Sequence, residues 1–182
     1  CAGTDSVPGI PGMRAIHKGP EPAGLAHHRC TAGAEYDGDF DKDALRSALV
    51  TEQRGLCCYC LSRIHADPLA MKIEHWHSQR HYPHEQLDYA NLLGACSGGE
   101  GGPRKKQHCD TRKGDRVLSR NPANPAHHVE ALVRFPGDGT IASDDVDFND
   151  ELKNTLNLND PFLVNNRKEI LKAFLATLPK RG

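Results

Sequence analysis

Aromatic side chains are scarce in this 182-residue chain. One Trp, four Tyr and five Phe make up 5% of it, and the hydrophobic share is 37%. A core drawn from so little apolar surface is modest, and such domains commonly add a metal or another cross-link. An excess of one charge is missing too. Twenty-three Lys and Arg stand against 24 Asp and Glu, a formal net charge of -1, so nucleic acid would have to be met by local patches rather than bulk charge. No run of 18 apolar residues occurs, so no membrane-spanning helix is expected. A charged-then-apolar start with a small-residue cleavage site is also lacking, which leads to the expectation of a cytoplasmic protein with reduced cysteines. Residues 1–12 (CAGTDSVPGIPG) are rich in Gly and Pro and aperiodic. They read as a flexible leader or expression remnant, with Met13 as the natural start of a single domain over 13–182.

Seven cysteines are present, and four have spacings that suit a metal. Cys57 and Cys60 form a tight Cys-x-x-Cys knuckle, while Cys96 and Cys109 are separated by twelve residues that include the Gly-rich stretch Ser97–Pro103. Such a stretch can loop out and return its ends to one point. Zinc takes four soft ligands in a tetrahedron, so the two pairs are expected to form a structural four-thiolate site. Cys58, between two expected ligands, should point away and pack, and Cys1 and Cys30 have no paired spacing. His108 is a lesser alternative to Cys109 as a ligand. A redox Cys-x-x-Cys is the competing reading, but no thioredoxin-like βαβ pattern surrounds it.

The pattern along the chain predicts an α+β fold. Residues 13–38 are expected to be mostly irregular. Asp41–Arg54 reads as a helix, capped by Asp41 or Asp43 and stopped at Gly55, with Phe40, Leu45, Ala48 and Leu49 on one face. Met71–His75 and Leu92–Cys96 read as short strands. Asp110 is placed at a helix N-cap, leading a short basic helix over Thr111–Ser119. Pro-Gly-Asp-Gly between Val129–Phe135 and Thr140–Ala142 signals a hairpin. Val164–Leu178 is the strongest helix, with Leu163, Ile170, Leu171, Phe174, Leu175 and Leu178 in one stripe that is expected to pack on the core.

Between the thiol pairs stand Ile73-Glu74-His75 and Asn91, and Cys109-Asp110-Thr-Arg-Lys113 closes the series. Hydrolysing a phosphodiester needs an activated water, cationic help at the phosphate and stabilisation of the leaving oxygen. A histidine near neutrality suits the first need, and a hard cation on carboxylate oxygens suits the others. Neighbouring strand residues face opposite ways, so Glu74 and His75 can serve one site only if the strand bends or ends there. Each residue also has a plainer reading. Glu74 could be a surface acid, Asp110 only a cap, and His77, His81 and His84 a solvated loop.

This order of elements over about 57–116 resembles HNH endonucleases of the ββα-metal type with a zinc-binding flank. The resemblance implies an HNH and zinc core at about 55–120, flanking helices, and a C-terminal hairpin and helical extension over 121–182 that ends in an amphipathic helix. It implies His75 as general base and Glu74 and Asp110 as ligands of a catalytic Mg2+ or Mn2+. It further implies Asn91 as the residue that fixes the loop and Lys113 as a catalytic-site lysine near phosphate. Cleavage would leave 5′-phosphate ends. The chain departs from the family in having Glu74 for the commoner Asp, Asp110 for Asn or His, and a long Cys96–Cys109 gap. Met13-Arg-Ala-Ile-His-Lys-Gly-Pro-Glu-Pro, His108-Cys109-Asp110 and Leu156-Asn-Leu-Asn near Asn166-Arg167 narrow the resemblance to PtuB-type HNH proteins of Septu and some retron anti-phage systems. That implies an ABC-type ATPase partner.

Arg104, Lys105, Lys106, Arg112 and Arg116 crowd the second thiol pair and are expected to contact nucleic acid, with DNA ahead of RNA. Backbone contacts of this kind carry little sequence information. The rival function is a non-catalytic zinc module that binds nucleic acid or protein.

Overall fold

The computed structural model describes residues 13–179, so the expected leader over 1–12 lies outside the described residues. Helix α1 spans Ala23–Arg29 and α2 spans Lys42–Glu52. Strands β1 (Met71–His75) and β2 (Leu92–Cys96) pair antiparallel, with Met71 opposite Cys96 and His75 opposite Leu92. Helix α3 (Cys109–Lys113) packs against β2. Helix α4 (Val129–Leu132) then leads into β3 (Val133–Arg134), which pairs with β4 (Ala142–Ser143). Helix α5 (Val146–Asp150) runs on as a π-helical turn over Glu151–Thr155, and α6 spans Pro161–Thr177. The architecture is α+β, as the pattern predicts.

Helix α2 forms where expected because Asp41 caps it, accepting from the amides of Asp43 and Ala44, while Leu45 and Leu49 are fully buried. Its exit is tied to β2 by Gln53. That side chain accepts from the Gly94 amide at 2.6 Å and donates to the Gly94 carbonyl at 2.8 Å. A Cβ at Gly94 would lie 2.9 Å from Ile64 Cδ1, so a larger residue there would push the Ile64 side chain aside.

The hairpin separates two apolar clusters. Leu25, Leu45, Leu49, Leu87, Tyr89 and Leu92 form one, while Leu93, Ala95, the knuckle residues and the C-terminal Leu152, Leu156 and Leu158 belong to the other. Every residue of β2 is buried, so the strand is the spine on which both halves pack.

Several expectations are corrected. Residues 23–29 are helical rather than irregular. Leu25 is the only buried side chain of α1, so no apolar period marks it. The basic helix ends at Lys113 instead of Ser119, because Gly114 turns the chain at φ 56°. The N-cap of α3 is His108, and Asp110 sits in the first turn. Val129–Leu132 is helical, which shortens the expected hairpin to two residues a side.

The largest correction concerns α6. Leu163 is buried, but Ile170, Phe174, Leu175 and Leu178 are 69%, 53%, 49% and 47% exposed, so the outer half of the stripe does not pack on this chain's core. Leu163→Ala is therefore expected to cost about 2–5 kcal/mol in a denaturant melt. Phe174→Ser is expected to change stability by no more than about 0.5 kcal/mol. Equal losses from the two would place the stripe against the core.

Candidate functional site

Cys57, Cys60, Cys96 and Cys109 converge so that their sulfurs all lie within 4.8 Å of one another, and all four residues are buried. Cys57 Sγ is 3.9 Å from Cys109 Sγ, and Cys60 Sγ is 3.7 Å from Cys96 Sγ. A tetrahedron with zinc–sulfur bonds near 2.3 Å has an edge of about 3.8 Å. These separations are far beyond a disulfide bond and match that edge, so the four thiols can hold a metal such as zinc.

Local structure explains the convergence. The knuckle folds back on itself, with the Cys57 amide donating to Ser62 O and the Leu61 amide to Cys57 O, and Leu61 takes φ 61° to close it. The long gap before Cys109 is closed at Gly98. Its φ is +58°, its carbonyl accepts from the His108 amide at 2.9 Å, and an added Cβ would lie 2.2 Å from His108 O. Cys58 is buried and donates its amide to Gly94 O, and burial pushes its thiol well above the ordinary range, as suits a packing residue. His108 stands beside the thiols, with Nδ1 3.2 Å from Cys109 Sγ, rather than in place of Cys109.

One strand away lies a second polar cluster. Glu74 and Lys72 project from β1 toward α3. Glu74 is 2% exposed, and its Oε1 accepts from Tyr59 Oη at 2.7 Å and from Lys113 Nζ at 2.7 Å. Burial, and then the neighbouring Asp110 carboxylate, push Glu74 well above the ordinary carboxylate range, with Lys113 opposing. Asp110 is partly open to solvent and meets Lys72 Nζ at 3.4 Å. The two adjoining carboxylates thus each face an ammonium, Glu74 that of Lys113 and Asp110 that of Lys72.

Lys113 corrects the sequence reading. Its side chain is 1% exposed, with Nζ held between Glu74 Oε1 and the His75 carbonyl at 2.9 Å. A phosphate has no access to it, and the lysine acts inside the protein as a clamp.

His75 ends β1 and faces away from α3, against Tyr36, whose ring centroid is 4.4 Å away at an interplanar angle of 88°. Glu74 and His75 thus point to opposite faces of β1, and the ring's hydrogen-bond partners are Gln86 and Gln79 rather than either carboxylate. Nε2 lies 3.0 Å from Gln86 O. A carbonyl only accepts, so Nε2 carries the proton and Nδ1 holds the lone pair, with Gln79 Nε2 at 3.4 Å from it. Burial lowers the His75 pKa, with the Gln86 hydrogen bond opposing.

Asn91 fixes the intervening loop. Its Oδ1 accepts from the His77 amide at 2.7 Å, and its Nδ2 donates to His77 O at 3.0 Å and Glu85 O at 3.2 Å. The same loop holds His77 by Glu85, at 2.6 Å.

The basic residues form an open groove rather than a uniform patch. Arg104, Arg112 and Arg116 line it with His81, Lys113, Gly114, Val117 and one acid, Asp115. Arg112 donates to Arg104 O, and Arg116 donates to Thr155 O at 2.7 Å. Desolvation, and then the charges of Arg112 and Arg104, lower the Arg116 pKa, so the guanidinium groups repel one another. Lys105 and Lys106 are exposed on the 3₁₀ turn beside them.

Sequence reasoning singled out neither Tyr59, Tyr36 nor Lys72. Tyr59 carried a signal, because a tyrosine inside a metal knuckle brings a hydroxyl that must find a partner once buried. Among the described residues, no helix is long and apolar enough to cross a membrane. No protein-family model matches this chain, and none of the curated proteins is a significant match to it.

Proposed function

We propose that the chain is a metal-dependent HNH-type endonuclease. The observation that carries this reading is the placement of a neutral, Nε2-tethered His75 at the end of the strand that presents Glu74 to Asp110. The antiparallel hairpin followed by α3, the loop held by Asn91 and the guanidinium groove support it.

In this reading His75 Nδ1 removes a proton from a water. The water oxygen forms a bond to phosphorus as the P–O3′ bond breaks, leaving a 5′-phosphate, and the 3′ oxygen takes its proton from solvent. Glu74 and Asp110 would hold the divalent ion, which supplies positive charge where negative charge develops on the leaving oxygen. Gln86 fixes the tautomer of His75, and Asn91 fixes the loop that carries Gln86. Gln79 occupies the Nδ1 position with a long bond, worth no more than about 1 kcal/mol net, which a water can replace. The groove arginines would bind the sugar–phosphate backbone of DNA, or of RNA, with little base selection. An ABC-type ATPase that licenses cutting in anti-phage defence is the partner consistent with the PtuB-like motifs.

The rival reading is a non-catalytic zinc module. The Lys113–Glu74 ion pair favours it, since Lys113 already supplies Glu74 with a counter-charge. Plasmid nicking separates the two, run with Mg2+ or Mn2+ and with the ATPase present and absent. Cutting that depends on the divalent ion is expected. Protons and cation compete for Glu74, whose pKa is raised, so the acid limb should move to lower pH as Mg2+ rises. His75 sets the floor below its ordinary 6.5, because its base form is lost only as pH falls through a lowered pKa. Tight nucleic-acid binding without cutting under every divalent ion would favour the rival.

A further inference from the structure

Glu74 is shielded from water, so the protein alone decides where its carboxylate points. Oε1 receives two short hydrogen bonds, from Tyr59 Oη and Lys113 Nζ, both at 2.7 Å. A carboxylate oxygen offers two lone-pair sites, so Oε1 is saturated and Oε2 is left for the Asp110 side.

Both donors are mounted on the thiol site. Tyr59 is the knuckle residue immediately before Cys60, and its side chain is 1% exposed. Lys113 lies one helical turn after Cys109 in α3, which has only five residues. A helix of that length does not hold itself together in water. What fastens α3 is Cys109 at one end, with its sulfur among the other three and its amide on Leu156 O at 2.9 Å, and Lys113 at the other. The knuckle and the helix thus meet twice, once through sulfur and once through the Glu74 oxygen.

We infer that the sulfur site governs the carboxylate site, with Tyr59 and Lys113 as positioning residues that aim Glu74 for cation binding only while the four thiols are held together by their metal. This rests on the reading of Glu74 and Asp110 as cation ligands. The physical basis is preorganisation: a carboxyl group whose Oε1 is fixed by two hydrogen bonds is already oriented, whereas a released one must also be ordered by the incoming ion. Occupancy of the thiols by their metal, and hence zinc supply, would set the divalent-ion affinity one strand away.

The test is a Mn2+ titration followed by electron paramagnetic resonance on the zinc-loaded full chain and on Tyr59→Phe. The variant should keep one zinc per chain and bind Mn2+ about tenfold more weakly, the effect of losing one hydrogen bond to a charged group. Undiminished Mn2+ affinity in a zinc-loaded Tyr59→Phe overturns the coupling while leaving the cation site standing. No Mn2+ binding by the unmodified protein removes the cation site itself, and the coupling with it. A second readout needs no substitution. The buried Tyr59 hydroxyl proton of the unmodified protein, followed by NMR, should shift as Mg2+ is added, and a resonance unmoved at saturating Mg2+ also overturns the coupling.

Discussion

His75→Ala is expected to lower the cleavage rate by about 10²–10⁴-fold, the usual contribution of a positioned general base. The size follows from the ring's restraint. Its Nε2 proton is committed to Gln86 O, so Nδ1 is the one lone pair the ring can offer, and burial keeps the ring neutral. Alanine supplies neither the lone pair nor the tether. The fold should survive. Losing the ring leaves the Gln86 carbonyl short of one donor, at a cost of about 1–3 kcal/mol. The thiols lie on other residues, so zinc content should not change. Rates measured under single turnover, alongside zinc analysis and a thermal melt, separate chemistry from collapse. A variant that cuts at the normal rate would remove His75 as the base and turn attention to His77, which Glu85 orients at 2.6 Å.

Cys57→Ala should act through stability instead. Three thiols remain, and Cys109 loses the sulfur 3.9 Å away that would share a metal with it. Structural zinc contributes about 10–16 kcal/mol of apparent binding energy in zinc-finger peptides. That is comparable with the whole stability of an ordinary domain, about 5–15 kcal/mol. This chain has apolar clusters besides the knuckle, so part of the fold has independent support. The expected result is loss of stoichiometric zinc and a melting temperature lower by about 10 °C or more, since each kcal/mol moves a domain of this size by about 2–4 °C. Cys58→Ala is the control, because Cys58 lies outside the four-sulfur group. An unchanged melt for Cys57→Ala, with no zinc in either protein, would show that the thiols only pack.

The sulfur cluster and the hairpin were legible from the sequence, because their parts announce themselves over a few residues. Cys57 and Cys60 have a spacing with one common structural use, β2 is a short apolar run, and β1 alternates Met71 and Ile73 with Lys72 and Glu74. What was illegible depends on partners distant in the chain. Lys113 reads as a surface cation until Glu74 and the His75 carbonyl are seen to surround it, and nothing local marks a lysine for burial. The stripe on α6 has the same apolar spacing whether or not anything covers it, so periodicity gave its face and not its burial. Asp110 has the right chemistry for an N-cap, but the helix starts one residue earlier, with His108 as its N-cap and Asp110 in the first turn. The π-helical turn over Glu151–Thr155 widens the helix by one residue per turn and buries Leu152 and Leu156, a change of period that a regular helical pattern does not encode.

Anomalous diffraction from a crystal of the zinc-loaded protein soaked in Mn2+ tests the central claim most directly. Two separate peaks are expected: a zinc peak equidistant from the sulfurs of Cys57, Cys60, Cys96 and Cys109, and a manganese peak touching oxygens of Glu74 and Asp110 on the side of Glu74 away from Tyr59. A zinc peak with nothing between the two carboxylates at saturating Mn2+ would contradict it.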